Sequence, residues 1–381
     1  MRGPGDGGLF VTRVLLAVSR PTVLVLRALG VGDLLTAVPA LRGLRSAYSD
    51  HRLTLAAPAA LRELAVLTGA VDDLLPTVLH RTPTAADRLG PLGWEGPPPA
   101  VAVNLHGRGP QSTHALQELR PTVLLTHSGP GKPGPEWDSD LHEVRRWCRL
   151  LEYSGIAADP PDLALARPGA LSPAPEAIIV HPGCGFPARR WPIDRYAAVA
   201  RRLAGRGRRV VVTGSAAERP LATSVAASAG LPDEAVLAGR TTLSQFAATV
   251  AEASLVVCGD TGIAHLATAY GTPSVVLFGP VSPQHWGPPP ERPQHVALWA
   301  GSTGDTFADR PDPGLLRITA TEVIAAAEWL TDRPQPAETY REPGPVHPAG
   351  SHEAACGAGQ RQSDSGVPGP YPRYGRAARS R

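Results

Sequence analysis

Residues 256–283 read VVCGDTGIAHLATAYGTPSVVLFGPVSP, two short apolar runs on either side of a helical pattern. The runs at 255–258 and 275–278 have the length and composition of buried strands, and each is followed by a glycine. Gly271 and Pro273 end the helical segment between them. That segment has one apolar stripe at helical spacing, formed by Ile263, Leu266, Ala267 and Tyr270. The stretch is therefore predicted to fold as a strand, a turn, a helix and a second strand.

Polar and small residues occupy the turn that opens this helix. Asp260, Thr261 and Gly262 directly follow the first strand. N–H groups in the first turn of a helix have no intrahelical partner, and the helix dipole favours an anion there. The turn is therefore a candidate phosphate site. His265 lies on the same helix, where a packed or capping histidine is the default interpretation and a phosphate contact is the alternative.

Length and charge restrict the class of protein. A chain of 381 residues has room for two domains of ordinary size. The net charge of +3 and the lack of Lys/Arg runs interleaved with aromatic residues argue against binding to nucleic acid or to an anionic membrane surface. Lys132 is the only lysine among 37 basic residues, so a single arginine carries less information than usual.

Cysteine and histidine spacing predicts neither a disulfide framework nor a metal site. The four cysteines lack CxxC spacing, and the histidines form no metal-ligand motif. We therefore expect no metal and no cofactor. The apolar run at 9–18 is broken by Arg13 and is too short to span a membrane. A cytoplasmic monomer without a transmembrane segment is expected, and peripheral association with a membrane is left open.

Short apolar runs alternate with helical patterns in both halves of the chain. The runs typical of strands before residue 256 lie at 23–26, 53–57, 101–105, 123–126, 177–180 and 210–213. Such alternation predicts parallel sheets covered by helices, that is, an α/β fold. Residues 160–175 contain five prolines and separate the halves. We therefore expect two Rossmann-like domains whose parallel sheets face an inter-domain cleft with their carboxyl ends, where ligands bind.

The predicted boundaries follow from these patterns. They are an N-terminal extension at 1–21, a first domain at 22–160, a linker at 161–176, a second domain at 177–332 and a disordered tail at 333–381 that has almost no large aliphatic residues. Two capping boxes are predicted to begin helices of the second domain, one at 242–245 and one at 319–322.

Asp33 follows the first predicted strand and immediately precedes a helical pattern at 35–48. One interpretation is an N-cap, which would stabilise the helix by about 1 kcal/mol. The other is a general base that takes a proton from a hydroxyl in the cleft. Gly30 and Gly32 permit the close backbone approach that exposes it. They are a weak match to a dinucleotide fingerprint, because Leu35 stands where a third small residue is needed.

Two further loops of the second half carry polar candidates. Gly183 and Gly185 follow a predicted strand and permit close approach of the backbone to a phosphate, for which Arg189 supplies positive charge without a metal. A plain loop with a solvated arginine is the alternative. Glu218 follows the strand that ends at Thr213, and it is either a ribose ligand or a first-turn glutamate favoured by the helix dipole.

Four segments together resemble the family 9 glycosyltransferases, the heptosyltransferase-like group of enzymes with the GT-B fold. They are LRALGVGDLLTAVPALRGLRSAY (26–48), HPGCGFPARRWP (181–192), TGSAAER (213–219) and GDTGIAHLATAYGTPSVVLFGP (259–280). The resemblance covers residues 23–289. It implies inverting, metal-independent transfer of a sugar from a nucleotide diphosphate donor, ADP-heptose in known members, in lipopolysaccharide core biosynthesis.

The resemblance also implies roles for individual residues. Asp33 corresponds to the catalytic base and Glu218 to the residue that meets the nucleoside. The implied donor-binding set is Gly32, Gly183, Cys184, Gly185, Arg189, Thr213, Glu218, Asp260, Thr261, Gly262 and His265. Asn104 and His106 follow a strand on the N-terminal side of the cleft and are candidates for acceptor contact. Arg189 stands where members commonly have lysine, and Cys184 lies between two glycines where some heptosyltransferases have a pair of hydroxyls, which puts heptose specificity in doubt.

The sequence thus predicts a glycosyltransferase that moves a heptose-like sugar to a hydroxyl of a cell-envelope glycan or a small metabolite. Two alternatives share the fold: a nucleotide-sugar epimerase, which would alter the donor with no acceptor present, and a non-catalytic nucleotide-sugar-binding protein, which would bind without turnover. A nicotinamide dehydrogenase is disfavoured by the incomplete fingerprint.

Overall fold

A computed structural model of the chain describes residues 20–82 and 85–333. The predicted extension and tail therefore lie almost wholly outside the described residues. The strands of the N-terminal half are β1 (Thr22–Leu26), β2 (Arg52–Ala57), β3 (Asp73–Pro76), β4 (Leu79–Thr82), β5 (Ala85–Leu89), β6 (Val101–Asn104) and β7 (Val123–Leu125). The helices of this half are α1 (Val31–Thr36), α2 (Val38–Ala47), α3 (Arg62–Leu67), α4 (Gln111–Gln117) and α5 (Glu143–Tyr153).

The C-terminal half repeats the alternation. Its strands are β8 (Ile178–His181), β9 (Val210–Val212), β10 (Leu255–Gly259), β11 (Ser274–Phe278) and β12 (His295–Trp299). Its helices are α6 (Ile193–Ala204), α7 (Arg219–Ala229), α8 (Leu243–Ala251), α9 (Gly262–Tyr270), α10 (Pro283–Trp286), α11 (Pro313–Arg317) and α12 (Ala320–Thr331). The stretch at 256–283 is therefore β10, α9 and β11, as predicted.

Each half contains one parallel five-stranded sheet. The orders are β3-β2-β1-β6-β7 and β12-β11-β10-β8-β9. In the first sheet β1 lies between β2 and β6, with Val23 level with Leu53 on one side and Val101 on the other. In the second, β10 lies between β8 and β11. The predicted α/β class with two parallel sheets is confirmed, whereas β3, the β4–β5 hairpin and β12 had no counterpart in the sequence patterns.

The helical pattern at 35–48 was predicted as one helix and is two. The first ends at Thr36, and Ala37 begins the second, with Pro39 in its first turn. Proline is tolerated there because first-turn N–H groups have no intrahelical partner. The break occurs where a continuous helix would have left Pro39 in its interior.

The two halves share an apolar core. One cluster of buried side chains joins Leu35 and Val38 of the first half to Ile263 and Leu266 of the second. A polar contact adds to it, because Ser244 N–H of α8 donates to the Glu63 carboxylate of α3 over 2.7 Å. No described helix is both long enough and apolar enough to cross a membrane.

Both predicted capping boxes are present. Gln245 N–H donates to the Thr242 hydroxyl over 3.2 Å, and Glu322 N–H donates to the Thr319 hydroxyl over 3.3 Å. The Glu322 carboxylate in turn accepts from Thr319 N–H over 2.7 Å. These contacts satisfy first-turn donors of α8 and α12.

We predict that Thr319→Ala lowers the free energy of unfolding by about 1 kcal/mol, because it removes the hydroxyl that caps α12. Thr319→Ser is the matched control and stays within about 0.5 kcal/mol of the parent, since it keeps the hydroxyl. Urea denaturation measures both. Equal losses in the two variants would contradict the capping role.

Candidate functional site

The two halves meet where helix α1 abuts helix α9, and both helices begin there. A Cβ added to Gly32 would lie 2.8 Å from Cδ2 of His265 and 3.6 Å from Cα of Gly262. A Cβ added to Gly262 would lie 2.9 Å from Cβ of Val31. Only glycine leaves room for this approach at both positions. The contact therefore brings together two loops that the sequence analysis had assigned separately.

Asp33 lies in the first turn of α1 and not at its N-cap, which is Gly30. Its Oδ2 accepts from Gly30 N–H over 3.0 Å. Asp33 is therefore not the N-cap residue that was predicted, but its carboxylate does bind a backbone N–H at the start of the helix. Its Oδ1 lies 3.2 Å from Nη2 of Arg27, and 25% of its side chain remains exposed. Burial raises the pKa of Asp33, Arg27 opposes that shift and Glu143 adds to it.

Asp260 faces the same space from the C-terminal half. Its side chain is only 6% exposed, and its Oδ2 lies 3.2 Å from Nη1 of Arg189. Burial raises the pKa of Asp260, Arg189 opposes the shift, and the charge of Asp33 adds to it. The negative charges of the two carboxylates therefore repel each other across the junction. Nε of Arg189 is buried and has no hydrogen-bond partner among the described residues, so the guanidinium has an N–H to offer to a ligand.

The start of α9 has no side-chain cap. Thr261 occupies the N-cap position and its side chain makes no capping hydrogen bond. His265, one turn on, packs edge-on to Trp286 with ring centroids 6.0 Å apart. Burial lowers the pKa of His265 to about 3, and His142, Arg189 and Arg27 contribute to the shift. His265 is therefore a neutral group at physiological pH.

A second group lies after β8 and β9. A Cβ at Gly183 would overlap the carboxylate of Glu218, so a larger residue there would have to displace that side chain. Oε2 of Glu218 accepts from the N–H and the hydroxyl of Ser215, both over 2.8 Å, and closes a capping box. The Thr213 hydroxyl pairs with Nδ1 of His181 over 2.9 Å. Glu218 and Thr213 thus have structural partners, and their predicted donor contacts stay predictions.

The remaining predicted residues are spread around this edge. Gly185 is exposed, whereas Cys184 is buried and its thiol donates to Phe186 O over 3.1 Å. Asn104 is fully buried and its amide donates to the Ser112 and Thr113 hydroxyls, each over 3.0 Å. In this arrangement Asn104 orders its loop instead of facing solvent.

His106 is half-buried on that loop, and its backbone N–H donates to Asn104 Oδ1 over 3.1 Å. The acceptor contact predicted for Asn104 and His106 stays a prediction.

Two charged residues of this site were missing from the sequence analysis. Arg27 follows β1 and is 1% exposed, and Glu143 begins α5 and is 4% exposed. Nη2 of Arg27 lies 2.9 Å from Oε1 of Glu143 and 3.2 Å from Oδ1 of Asp33. The sequence signal that could have found them is Arg27 itself, because it directly follows an apolar strand and a buried charge needs a partner of opposite charge. Among the described residues no cluster of three or more His, Cys, Asp or Glu side chains is arranged to hold a metal ion.

The chain is similar in sequence to known glycosyltransferases. Residues 137–308 match the family model for glycosyltransferase family 9 (heptosyltransferase). The lipooligosaccharide heptosyltransferase 2 of Haemophilus influenzae is 35% identical over 126 residues, which are 32% of this chain and 36% of that relative. The aligned part therefore spans well under half of the relative's length.

Solved structures extend the likeness to most of the chain. A family 9 glycosyl transferase from Veillonella parvula superposes with a TM-score of 0.65 at 19% identity and covers 82% of this chain and 97% of its own. The E. coli ADP-heptose LPS heptosyltransferase II gives a TM-score of 0.60 at 21% identity and covers 81% and 98%. These likenesses define the class of fold, which is GT-B. Together with the family match they confirm the predicted resemblance: the chain is a protein similar to the heptosyltransferases of glycosyltransferase family 9.

We predict that His181 titrates with a pKa of about 4 in the folded chain, because burial lowers its pKa more than Glu218 raises it. The unfolded chain in urea gives the ordinary value of about 6.5. Since the folded value is the lower one, the stability that this group contributes is present above about pH 6.5 and is lost as the pH falls towards 4.

NMR titration of the histidine rings tests this value, with His181→Gln assigning the resonance. The same variant flattens the dependence of the unfolding free energy on pH in that window. A folded-state pKa near 6.5 would contradict the burial that the structure gives His181.

Proposed function

We propose that the chain is an inverting, metal-independent glycosyltransferase that moves a heptose-like sugar from a nucleotide diphosphate to an acceptor hydroxyl. The observation that carries the proposal is the meeting of Asp33 with the Asp260 and Arg189 pair where α1 abuts α9. The relatives are heptosyltransferases of lipopolysaccharide or lipooligosaccharide, and this likeness supports the donor and acceptor classes.

Asp33 acts as the general base in this proposal. It takes the proton of the acceptor hydroxyl while the oxygen attacks the anomeric carbon from the face opposite the diphosphate. The bond from the anomeric carbon to the phosphate oxygen breaks, the diphosphate leaves with the electron pair, and the configuration inverts. A carboxylate whose pKa is raised by burial is a stronger base than one in water, and a quarter of the Asp33 side chain remains accessible.

The leaving group receives its charge stabilisation from the second half. Arg189 offers a guanidinium whose Nε has no partner among the described residues. The first-turn amides of α9 present a positive dipole end without a capping side chain. Asp260, which pairs with Arg189, would hold donor hydroxyls beside them. Positive charge from side chains and amides supplies the electrostatic role that a metal ion has in other transferases.

We expect Asp33→Asn to lower kcat by about 10² to 10⁴-fold, since a general base contributes about that much. Asp73→Asn is the matched control, because Asp73 lies in the same half and its ion pair among the described residues is with Arg52 at the surface. Transfer from ADP-heptose and other nucleotide sugars to an acceptor panel, read by NMR of the anomeric centre, measures the rates and the configuration of the product. Wild-type rates for Asp33→Asn, or a product with retained configuration, would refute the assignment.

Asp260→Asn is expected to raise the KM for the donor more than it lowers kcat, because the residue is assigned to donor hydroxyls and to Arg189.

Incubation with donor alone separates the alternative functions, since an epimerase releases an altered sugar and a binding protein returns the donor unchanged. Assays with and without EDTA test the metal independence. An activity abolished by EDTA and restored by a divalent cation would overturn that part of the proposal.

A further inference from the structure

Arg27 lies behind Asp33 and contacts it twice. Its Nε donates to the backbone carbonyl of Asp33 over 2.9 Å, and its Nη2 lies 3.2 Å from the Asp33 carboxylate. A third contact fixes the other end of the guanidinium, because Nη1 donates to Leu105 O after β6. Arg27 thus ties the first turn of α1 to the ends of β1 and β6.

Glu143 holds Arg27 from the far side. Its Oε1 accepts from Nη2 of Arg27 over 2.9 Å and from Nε1 of Trp147 over 3.0 Å. Its Oε2 pairs with Arg146, which also donates to backbone carbonyls at 138–141. The Arg27 guanidinium lies 4.7 Å from the centre of the Trp147 ring. Asp33, Arg27, Glu143 and Arg146 therefore form a linear series of ion pairs in the first half, with two negative and two positive charges.

We infer that Arg27 is a positioning residue for Asp33 and that Glu143, by fixing Arg27, acts on Asp33 through it. The inference rests on the proposed function, because it assumes that Asp33 is the base. Both residues are almost fully buried, and their contacts described above are with side chains and backbone of the first half.

The shape of the contact carries the inference. Arg27 and Gly30 each engage one oxygen of the Asp33 carboxylate, from the protein side. The carboxylate can therefore neither rotate nor turn away from the junction with α9. Only a planar guanidinium reaches the backbone carbonyl and the carboxylate of one residue at once, and a lysine ammonium would lose that fork.

Charges on every side act on the same carboxylate. Arg27 lowers the pKa of Asp33 and Glu143 raises it, within the first half. From the second half Asp260 faces Asp33, with Arg189 paired to it, and His265 is neutral because burial lowers its pKa to about 3. Loss of the Glu143 charge therefore lowers the pKa of Asp33, which is the opposite of what burial does.

Arg27→Lys tests the orientation. It is expected to lower kcat by about 10²-fold with little change in the KM for the donor, since a displacement of about 1 Å at a reacting group costs about that much. The matched control is Arg42→Lys. Arg42 is another buried arginine of the first half, which donates to Thr68 O and Ala164 O and pairs with Asp162, away from Asp33. A folded Arg27→Lys that keeps the parent's kcat, or matches Arg42→Lys, overturns the inference.

Glu143→Gln tests the electrostatic coupling with a readout that a structural role would not move. The acidic limb of the kcat profile, where Asp33 becomes protonated, is expected to shift to lower pH. Glu63→Gln, which removes a carboxylate that accepts from Ser244 N–H, leaves the limb in place. An unshifted limb, or a shift to higher pH, overturns the inference.

Failure of the inference can be told from failure of the proposed function. If Asp33→Asn retains full activity, the proposed function itself fails. If Asp33→Asn loses activity and Arg27→Lys does not, only the positioning role is refuted.

Discussion

Two helices from different halves of the chain begin against each other, at Gly32 and Gly262, with no side chain of either residue between them. A Cβ at Gly262 would come within 3.3 Å of the backbone N of Gly32, and backbone cannot move aside as a flexible side chain can. Asp33 follows one of these glycines directly, and Asp260 lies two residues before the other. Neither glycine could carry a Cβ without a neighbour moving, so the close approach of the two helix starts depends on both.

This approach has an electrostatic consequence. Two carboxylates enter one poorly solvated space, and burial raises the pKa of both. Each has an arginine of its own half beside it, at 3.2 Å in both cases. Such buried pairs contribute little net stability, because desolvation of the charges offsets most of their attraction. Their value lies in keeping a carboxylate ionised and oriented where it would otherwise take up a proton.

The loops of the site could be predicted from the sequence because carboxyl ends of parallel strands meet at one edge of a sheet. Asp33, Arg189 and Asp260 each follow or flank a recognisable apolar run, so their convergence required only the fold. Arg27 and Glu143 could not be paired in the same way. They are 116 residues apart, and in an arginine-rich chain a lone arginine after a strand carries little signal.

Asn104 shows what the sequence patterns leave open. They predicted it at the end of a strand, and it is the last residue of β6, but they gave no direction for its side chain. The amide turns inward to the hydroxyls of Ser112 and Thr113, since an α-helical segment directly after the loop brings those partners within reach. Periodicity fixes which strand a polar residue follows, whereas hydrogen-bond competition among neighbours fixes where it points.

The two sheets reverse their strand order at different places. The first sheet reverses between β1 and β6, where Arg27, Asp33 and the Asn104 loop emerge, and the second between β8 and β10, where Gly183 and Asp260 emerge. Ligands bind at such reversal points in open α/β sheets. The family match at 137–308 contains the whole second reversal point, whereas the strand ends at the first reversal point lie outside it. The sequence similarity that this match measures therefore covers the loops proposed to bind the donor and leaves out Asp33 and the Asn104 loop.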